Sequence, residues 1–596
     1  YVEDLLYNQG WEMMEDPANP GKMLIFKETD FQDNLFQTPV NHDFNINFSG
    51  GNEKATYYMS LGYLTQDGIV VGTHYNRWSF LTNASYKIRK NLTVKGMVNY
   101  SMRTTAGINE NNVMSRAAKM PPTVRQYYED GTPAPGELTS SFRTRLHEVY
   151  YQEKENRVSR INLSAELDWE IIPGLHLKPM FSYTNNEGKD HNFERYNEVV
   201  KNRPVSEAHN MDLHYQYDLI LNYAKTIKDK HNLDLMVGGN YIYDNWYRFS
   251  GSGYGGTSDY IETLNGIATE SAKTTSTFEE KKMNSYFGRV NYNYDNRYLF
   301  EFNIRRDGSS RMPKANRYAN FPSFSAAWVL TNESFMQNVE PLTSFKLRGS
   351  WGKLGNQEIG NYSYAPTMAA KYNYYFGNQK VIGMADNIVA NDKIKWETTT
   401  ITDVGFDASF WKGRISITFD WYNKLTSDIL LKLAMPYTYI GFLDAPLQNA
   451  GKVQNRGWEL SANYFDHKGD FSWNVGFNLS SVRNKIVDDS GGIDQKWETT
   501  INREGYPIGA YYGLKAIGIY RTEADLNRTN SKGEVIKQDG TMPALGDIMY
   551  EDTDDSGNVT SDDRVIIGNP FPKMSYSFNL GFSWKGIDVS TFWQGV

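Results

Sequence analysis

The chain has 596 residues, a formal net charge of -8, no cysteine, 49 glycines and 14% aromatic residues. The acidic balance gives no basic footprint for nucleic acid, and the lack of cysteine rules out a disulfide framework and thiol chemistry. With a mean hydropathy of -0.61, no window approaches the roughly 18 apolar residues of a spanning helix, yet a membrane barrel needs no such run, because only alternate residues face lipid.

The opening Tyr1-Val2-Glu3-Asp4-Leu5-Leu6 has neither the basic start nor the apolar stretch of a signal peptide. Strand patterns follow in chain order. Ile161, Leu163, Ala165, Leu167 and Trp169 alternate with Asn162, Ser164, Glu166 and Asp168. Ile415, Ile417, Phe419 and Trp421 alternate with Ser416, Thr418 and Asp420, and Phe471, Trp473, Val475, Phe477 and Leu479 with Ser472, Asn474, Gly476 and Asn478. From Met574 the apolar set is Met574, Tyr576, Phe578, Leu580, Phe582 and Trp584. A period of two marks a strand with two different faces. In a membrane strand of about 9–11 residues the apolar face meets lipid and the polar face the lumen. The final Phe592-Trp593-Gln594-Gly595-Val596 stops inside such a pattern. Residues 1–596 are therefore expected to be part of a barrel, with the signal peptide and final strands outside the sequence.

Tight turns are expected at Arg89-Lys90-Asn91, Pro173-Gly174, Lys228-Asp229-Lys230, Asp295-Asn296, Lys412-Gly413, Lys468-Gly469 and Lys585-Gly586. Between these hairpins lie long polar stretches, Thr104–Asn156, Gly251–Phe278, Gly355–Lys393, Leu431–Val453 and Ile486–Lys573, with Asn332–Thr343 an intermediate exception. Short periplasmic turns alternating with long extracellular loops are a property of outer-membrane barrels. Roughly eighteen strands can be counted, against the roughly 22 of plugged outer-membrane transporters. A secreted carbohydrate-binding β protein shares the alternation but needs neither lipid-facing Trp and Phe on nearly every strand nor the regular swing of connection length.

Arg305-Arg306-Asp307-Gly308-Ser309-Ser310-Arg311 with Asn320-Phe321-Pro322-Ser323-Phe324-Ser325-Ala326-Ala327-Trp328 resembles the SusC/RagA family of TonB-dependent outer-membrane transporters. So do Leu347-Arg348-Gly349-Ser350-Trp351-Gly352-Lys353-Leu354-Gly355-Asn356-Gln357, Trp396-Glu397-Thr398-Thr399, Asp420-Trp421-Tyr422, Asn455-Arg456-Gly457-Trp458-Glu459-Leu460 and Gly568-Asn569-Pro570-Phe571-Pro572-Lys573. The resemblance runs from about Asn41 to the last residue. It implies an all-β transmembrane antiparallel barrel, of roughly 22 strands when complete, with an N-terminal domain and a plug that lie outside this sequence. The implied function is import of oligosaccharides or peptides across the outer membrane of a Gram-negative bacterium. The implied partners are the TonB complex and a SusD-like lipoprotein lid, in a dimer of such pairs. A passive porin without a plug is the alternative.

Asp552-Thr553-Asp554-Asp555-Ser556-Gly557-Asn558-Val559-Thr560-Ser561-Asp562-Asp563 follows the 12-residue calcium-loop spacing, with Gly at position 6 for the sharp turn. Asp552, Asp554 and Ser556 are expected to give side-chain oxygens, Asn558 its carbonyl and Asp563 the last carboxylate to Ca²⁺ in an extracellular loop. Ser556 and Asp563 stand where Asp or Asn and Glu are usual, and a solvated acidic turn is the plainer alternative. Tyr372, Tyr374, Tyr375 and Phe376 crowd another long loop, where they could stack on sugar, meet a lid protein or fold against their own loop; Tyr511-Tyr512 invites the same reading. The nine histidines show no H-E-x-x-H spacing and there is no nucleophile elbow, so no enzyme and no organic cofactor is expected. Gly50-Gly51, Gly238-Gly239 and Gly255-Gly256 are expected at strand ends or bends.

Overall fold

The computed structural model describes all residues except 1, 17–18, 108–112, 129, 137–142, 337–338, 387, 433–437, 439–444 and 490–493. Parts of the stretches expected over 104–156, 332–343, 355–393, 431–453 and 486–573 lie outside the described residues. Among those described, eighteen long strands belong to one closed barrel. They are β1 His42–Gly51, β2 Ala55–Asp67, β3 His74–Arg89, β4 Leu92–Ala106, β5 Gln152–Ile172, β6 Leu175–Glu194, β7 Val205–Ile227, β8 His231–Gly253 and β9 Lys273–Tyr294. The series continues with β10 Tyr298–Ser309, β11 Tyr318–Val329, β12 Leu342–Asn356, β13 Glu397–Phe410, β14 Ile415–Ser427, β15 Lys452–Lys468, β16 Phe471–Asp488, β17 Ser575–Trp584 and β18 Ile587–Gly595. The chain divides into two compact units, 1–221 with 239–283 and 222–238 with 284–596, so the division crosses β7, β8 and β9.

In the first unit a short helix, Val2–Asn8, and a two-stranded ribbon, Glu12–Glu15 with Met23–Phe26, precede β1. β1 to β6 then pair antiparallel in sequence order. Rows of like residues run across these strands: Phe80 opposes Tyr100, which opposes Ile161, while one residue along Ser79 opposes Ser101, which opposes Arg160. In the second unit β10 to β18 pair in sequence order. There the apolar row Phe406, Phe419, Leu460, Leu479, Tyr576 lies beside the polar row Gly405, Asp420, Glu459, Ser480, Ser575. A slip of one residue would exchange the two rows, so the alternation pins the register.

All seven expected tight turns fall between paired strands. Several hold residues at positive φ, among them Lys228, Asp229, Asp295, Asn296, Lys412 and Lys585. The long stretches are shorter than expected at their edges, because β4 runs on to Ala106 and β9 begins at Lys273. The intermediate connection before β12 is tied down by Glu333, which accepts from Tyr298 Oη at 2.6 Å and Trp328 Nε1 at 3.1 Å. Gly238-Gly239 departs from expectation: it lies inside β8, where the backbone continues its ladder, and only Gly50-Gly51 ends a strand.

Fully buried side chains sit mostly where connections pack. Met312, Phe321, Ile394 and Trp396 form one cluster in the second unit, with the Phe321 and Trp396 rings edge to face at 5.5 Å. Ile501, Ala510 and Tyr512 form another within the connection from β16 to β17. A wall strand has lipid on one side and lumen on the other, so its own residues stay half-buried.

Candidate functional site

The 552–563 loop closes on its own first and last carboxylates. Asp552 accepts from the amides of Ser556 at 3.1 Å and Gly557 at 2.9 Å, and Asp554 accepts from the Ser556 amide at 2.9 Å. Asp555 at φ 57 and Gly557 at φ 78 supply the left-handed residues that turn the chain back. Asn558–Val559 then pairs parallel with Lys537–Gln538, and Val559 is buried. Asp563 is fully buried, and its carboxylate accepts from the amides of Thr553 at 2.7 Å, Asp554 at 3.3 Å and Thr560 at 2.8 Å.

One carboxylate oxygen from each of Asp552, Asp554 and Asp563 lies within 4.8 Å of the others. Ser556 Oγ donates to the Asn558 carbonyl at 3.2 Å, so the other two expected ligands meet each other. Hydrogen bonds from Ser556, side chain first and then amide, hold the Asp554 carboxyl below its ordinary value. The donor set is all hard oxygen, the type that calcium takes. A second acidic group, Asp488, Asp489 and Glu504, converges in the same way. Sequence reading missed it because no ligand spacing links Glu504 to the adjacent Asp488 and Asp489, and they meet only where the Gly505 amide bonds the Ile486 carbonyl at 2.9 Å.

Tyr372, Tyr374, Tyr375 and Phe376 fall on a two-stranded hairpin, Met368–Phe376 with Gln379–Asp386. Tyr374, Tyr375 and Phe376 are 65%, 61% and 68% exposed, so their rings are not folded under the loop. Tyr374 and Phe376 touch each other edge to face at 5.1 Å on one side of the hairpin, and Tyr375 points to the other. The pair Tyr511-Tyr512 is split by strand alternation: Tyr511 is exposed, whereas Tyr512 is buried under Arg564, whose guanidinium lies 5.1 Å from the ring centre. Tyr512 is thus a core residue, which corrects its reading as a contact for cargo or lid.

On the polar face of the second unit Arg348 Nη1 stands 2.5 Å from Asp420 and 3.5 Å from Asp403, and Lys346 2.8 Å from Asp407. Gly405 leaves room for the first of these pairs, since a Cβ there would run into the Asp420 carboxylate. In the first unit the helix Arg145–Tyr151 buries His147 completely. Arg143 Nη2 lies 3.1 Å from His147 Nδ1, and His147 Nε2 lies 3.3 Å from Glu198. Burial, followed by the Arg143 charge, pushes the imidazole below its ordinary value.

A family model described as TonB dependent receptor-like, beta-barrel matches residues 117–595. The chain belongs to that family. This TonB-dependent receptor-like barrel is 30% identical over 592 residues to TonB-dependent receptor P3 of Formosa agariphila, covering 95% of the chain and 58% of the relative. It is 25% identical over 615 residues to TonB-dependent receptor SusC of Bacteroides thetaiotaomicron, covering 94% and 58%. Among solved structures the RagAB peptide transporter superposes with a TM-score of 0.81 at 23% identity, covering 95% of the chain and 63% of that structure's chain. The chain thus spans less than two thirds of the length of these relatives. The family is one of outer-membrane receptors rather than enzymes, so the apolar rows face lipid, and the secreted alternative is set aside.

Proposed function

We propose that this chain forms the barrel wall of a TonB-dependent importer that carries oligosaccharides or peptides across the outer membrane beneath a SusD-like lipoprotein. The observation that carries the reading is the family match over residues 117–595 together with the likeness to SusC along 94% of the chain. The exposed rings of Tyr374, Tyr375 and Phe376 support it, since aromatic faces suit a sugar ring or a lid protein. The full-length protein purified in mild detergent from native outer membranes should bring down a SusD-like lipoprotein in equal amount, as a dimer of such pairs. Cells lacking TonB should lose uptake of the cargo while keeping the barrel. A barrel recovered alone, with uptake indifferent to TonB, would overturn the reading in favour of a passive pore.

The same reading gives the 552–563 loop a bound Ca²⁺ that fixes the shape of a long connection. Its support is the meeting of three carboxylate oxygens within 4.8 Å across a loop turned by Asp555 and Gly557. Asp554→Asn is the cleanest variant, because Asp552 and Asp563 keep their bonds to backbone amides without it. Calorimetry on the full-length protein should show Ca²⁺ binding that weakens about tenfold or more in the variant. No binding by the unmodified protein would leave an acidic turn closed by its own amides.

A further inference from the structure

The polar face of the first unit holds three arginines that pair with no carboxylate among the described residues. Arg77 of β3 and Arg103 of β4 are direct cross-strand partners, and Arg160 of β5 opposes Ser101, two residues along β4 from Arg103. Direct partners, and residues two apart on one strand, share a face. All three arginines therefore leave the sheet on one side, opposite Trp78 and Met102. They line a single cavity of about 490 Å³, near the His74 end of β3 and the Ala106 end of β4. Ser101 brings a neutral polar group to the same cavity, Asn156 and Asn210 line it with their amides donating to the Asp190 carboxylate, and Asp212 is the acid among its lining residues.

Like charges directly opposite each other destabilise a strand pair. Other arginines on the polar faces are matched: Arg348 has Asp420, Asp403 and Asp407, and Arg289 has Asp234 at 2.9 Å. Among the described residues no carboxylate pairs with Arg77, Arg103 or Arg160; the polar contact at Arg160 runs from Nε to Asn162 Oδ1 at 3.3 Å. A guanidinium presents a rigid fork that matches the two oxygens of a carboxylate or sulfate. Three such forks around one open cavity are an arrangement that an incoming oxyanion completes.

We propose that the Arg77, Arg103 and Arg160 cradle is a subsite for oxyanion groups, carboxylate or sulfate ester, borne by an oligomeric cargo. The origin of that ligand rests on the import reading; the anion binding itself does not. The full-length protein in detergent is titrated calorimetrically with sodium sulfate, with a galacturonate tetramer and with the same tetramer fully methyl-esterified. The acid tetramer should bind more tightly than sulfate, should lose affinity as salt is added, and should bind Arg77→Gln/Arg103→Gln about tenfold more weakly or worse. The methyl ester should not bind. Arg157→Gln, on the same strand but opposite Thr104 and so on the other face, should behave as the unmodified protein. Heat-modifiable mobility on gels checks that each variant is a folded barrel. No binding of the acid tetramer, binding of sulfate alone, equal binding of the ester, or equal affinity in the double variant would each overturn the proposal. Failure of the unmodified protein to bind the acid tetramer, with uptake intact, sinks the subsite and leaves the import reading standing; intact binding without TonB-dependent uptake does the reverse.

Discussion

Phe578 and Asn579 are neighbours in β17 whose side chains meet different media. Phe578 opposes Phe477 and stacks on Trp593 with ring centres 5.5 Å apart, whereas Asn579 opposes Gly476 on the polar face. Phe578→Arg should cost about 2–4 kcal/mol when unfolding is measured in a bilayer, and Asn579→Arg should be nearly neutral. Equal costs would refute the assignment of lipid and lumen faces. His147 carries a pH prediction. Its ring is kept neutral by burial and by Arg143, with Glu198 the acid beside Nε2 and Glu194 bound to Arg143 at 2.7 Å. Protonation at Nδ1 would set a donor against the Arg143 donor. The unfolded chain takes up a proton near the ordinary value of 6.5, so the packing contributes fully above that pH and weakens as pH falls below it. Hydrogen exchange across 143–151, corrected for intrinsic rate, should quicken below that pH relative to β5. His147→Asn should abolish this quickening below that pH.

The hairpin Met368–Phe376 with Gln379–Asp386 has a different economy from the wall strands. It forms its own two-stranded sheet and leaves Tyr374, Tyr375, Phe376, Ile382 and Met384 exposed. Substituting exposed residues away from packed contacts usually changes stability by less than about 0.5 kcal/mol each. Replacing Tyr374, Tyr375 and Phe376 together with Ser should therefore leave thermal unfolding of the barrel almost unchanged. It should reduce recovery of the lipoprotein lid or retention of cargo in pull-down from outer membranes. A large drop in unfolding temperature would mean that the rings stabilise the barrel instead. The aromatic cluster was legible as residues, but their exposure was not, because a run of rings is equally compatible with a packed loop. Tyr511-Tyr512 makes the same point: two adjacent tyrosines take opposite fates once strand alternation sends one of them into the cluster of Ile501 and Ala510.

For the whole molecule, a wall with apolar rows such as Phe406, Phe419, Leu460 and Leu479 should not leave the membrane under alkaline carbonate. It should come into solution only with detergent, as immunoblots of each fraction would report. Release by carbonate alone would contradict a spanning barrel. By itself the sequence determined the strands, their two faces, the seven tight turns and the spacing of the 552–563 loop. These are local properties: a period of two, a turn residue or a 12-residue spacing is written within one segment. Only the tertiary structure decided which segments stand side by side. That alone brings Arg77 to Arg103 and Arg160, sets Arg348 among Asp403, Asp407 and Asp420, and gathers Asp488, Asp489 and Glu504. The reason is that cross-strand register links residues far apart in sequence, and which charge meets which follows from pairing that no single strand contains.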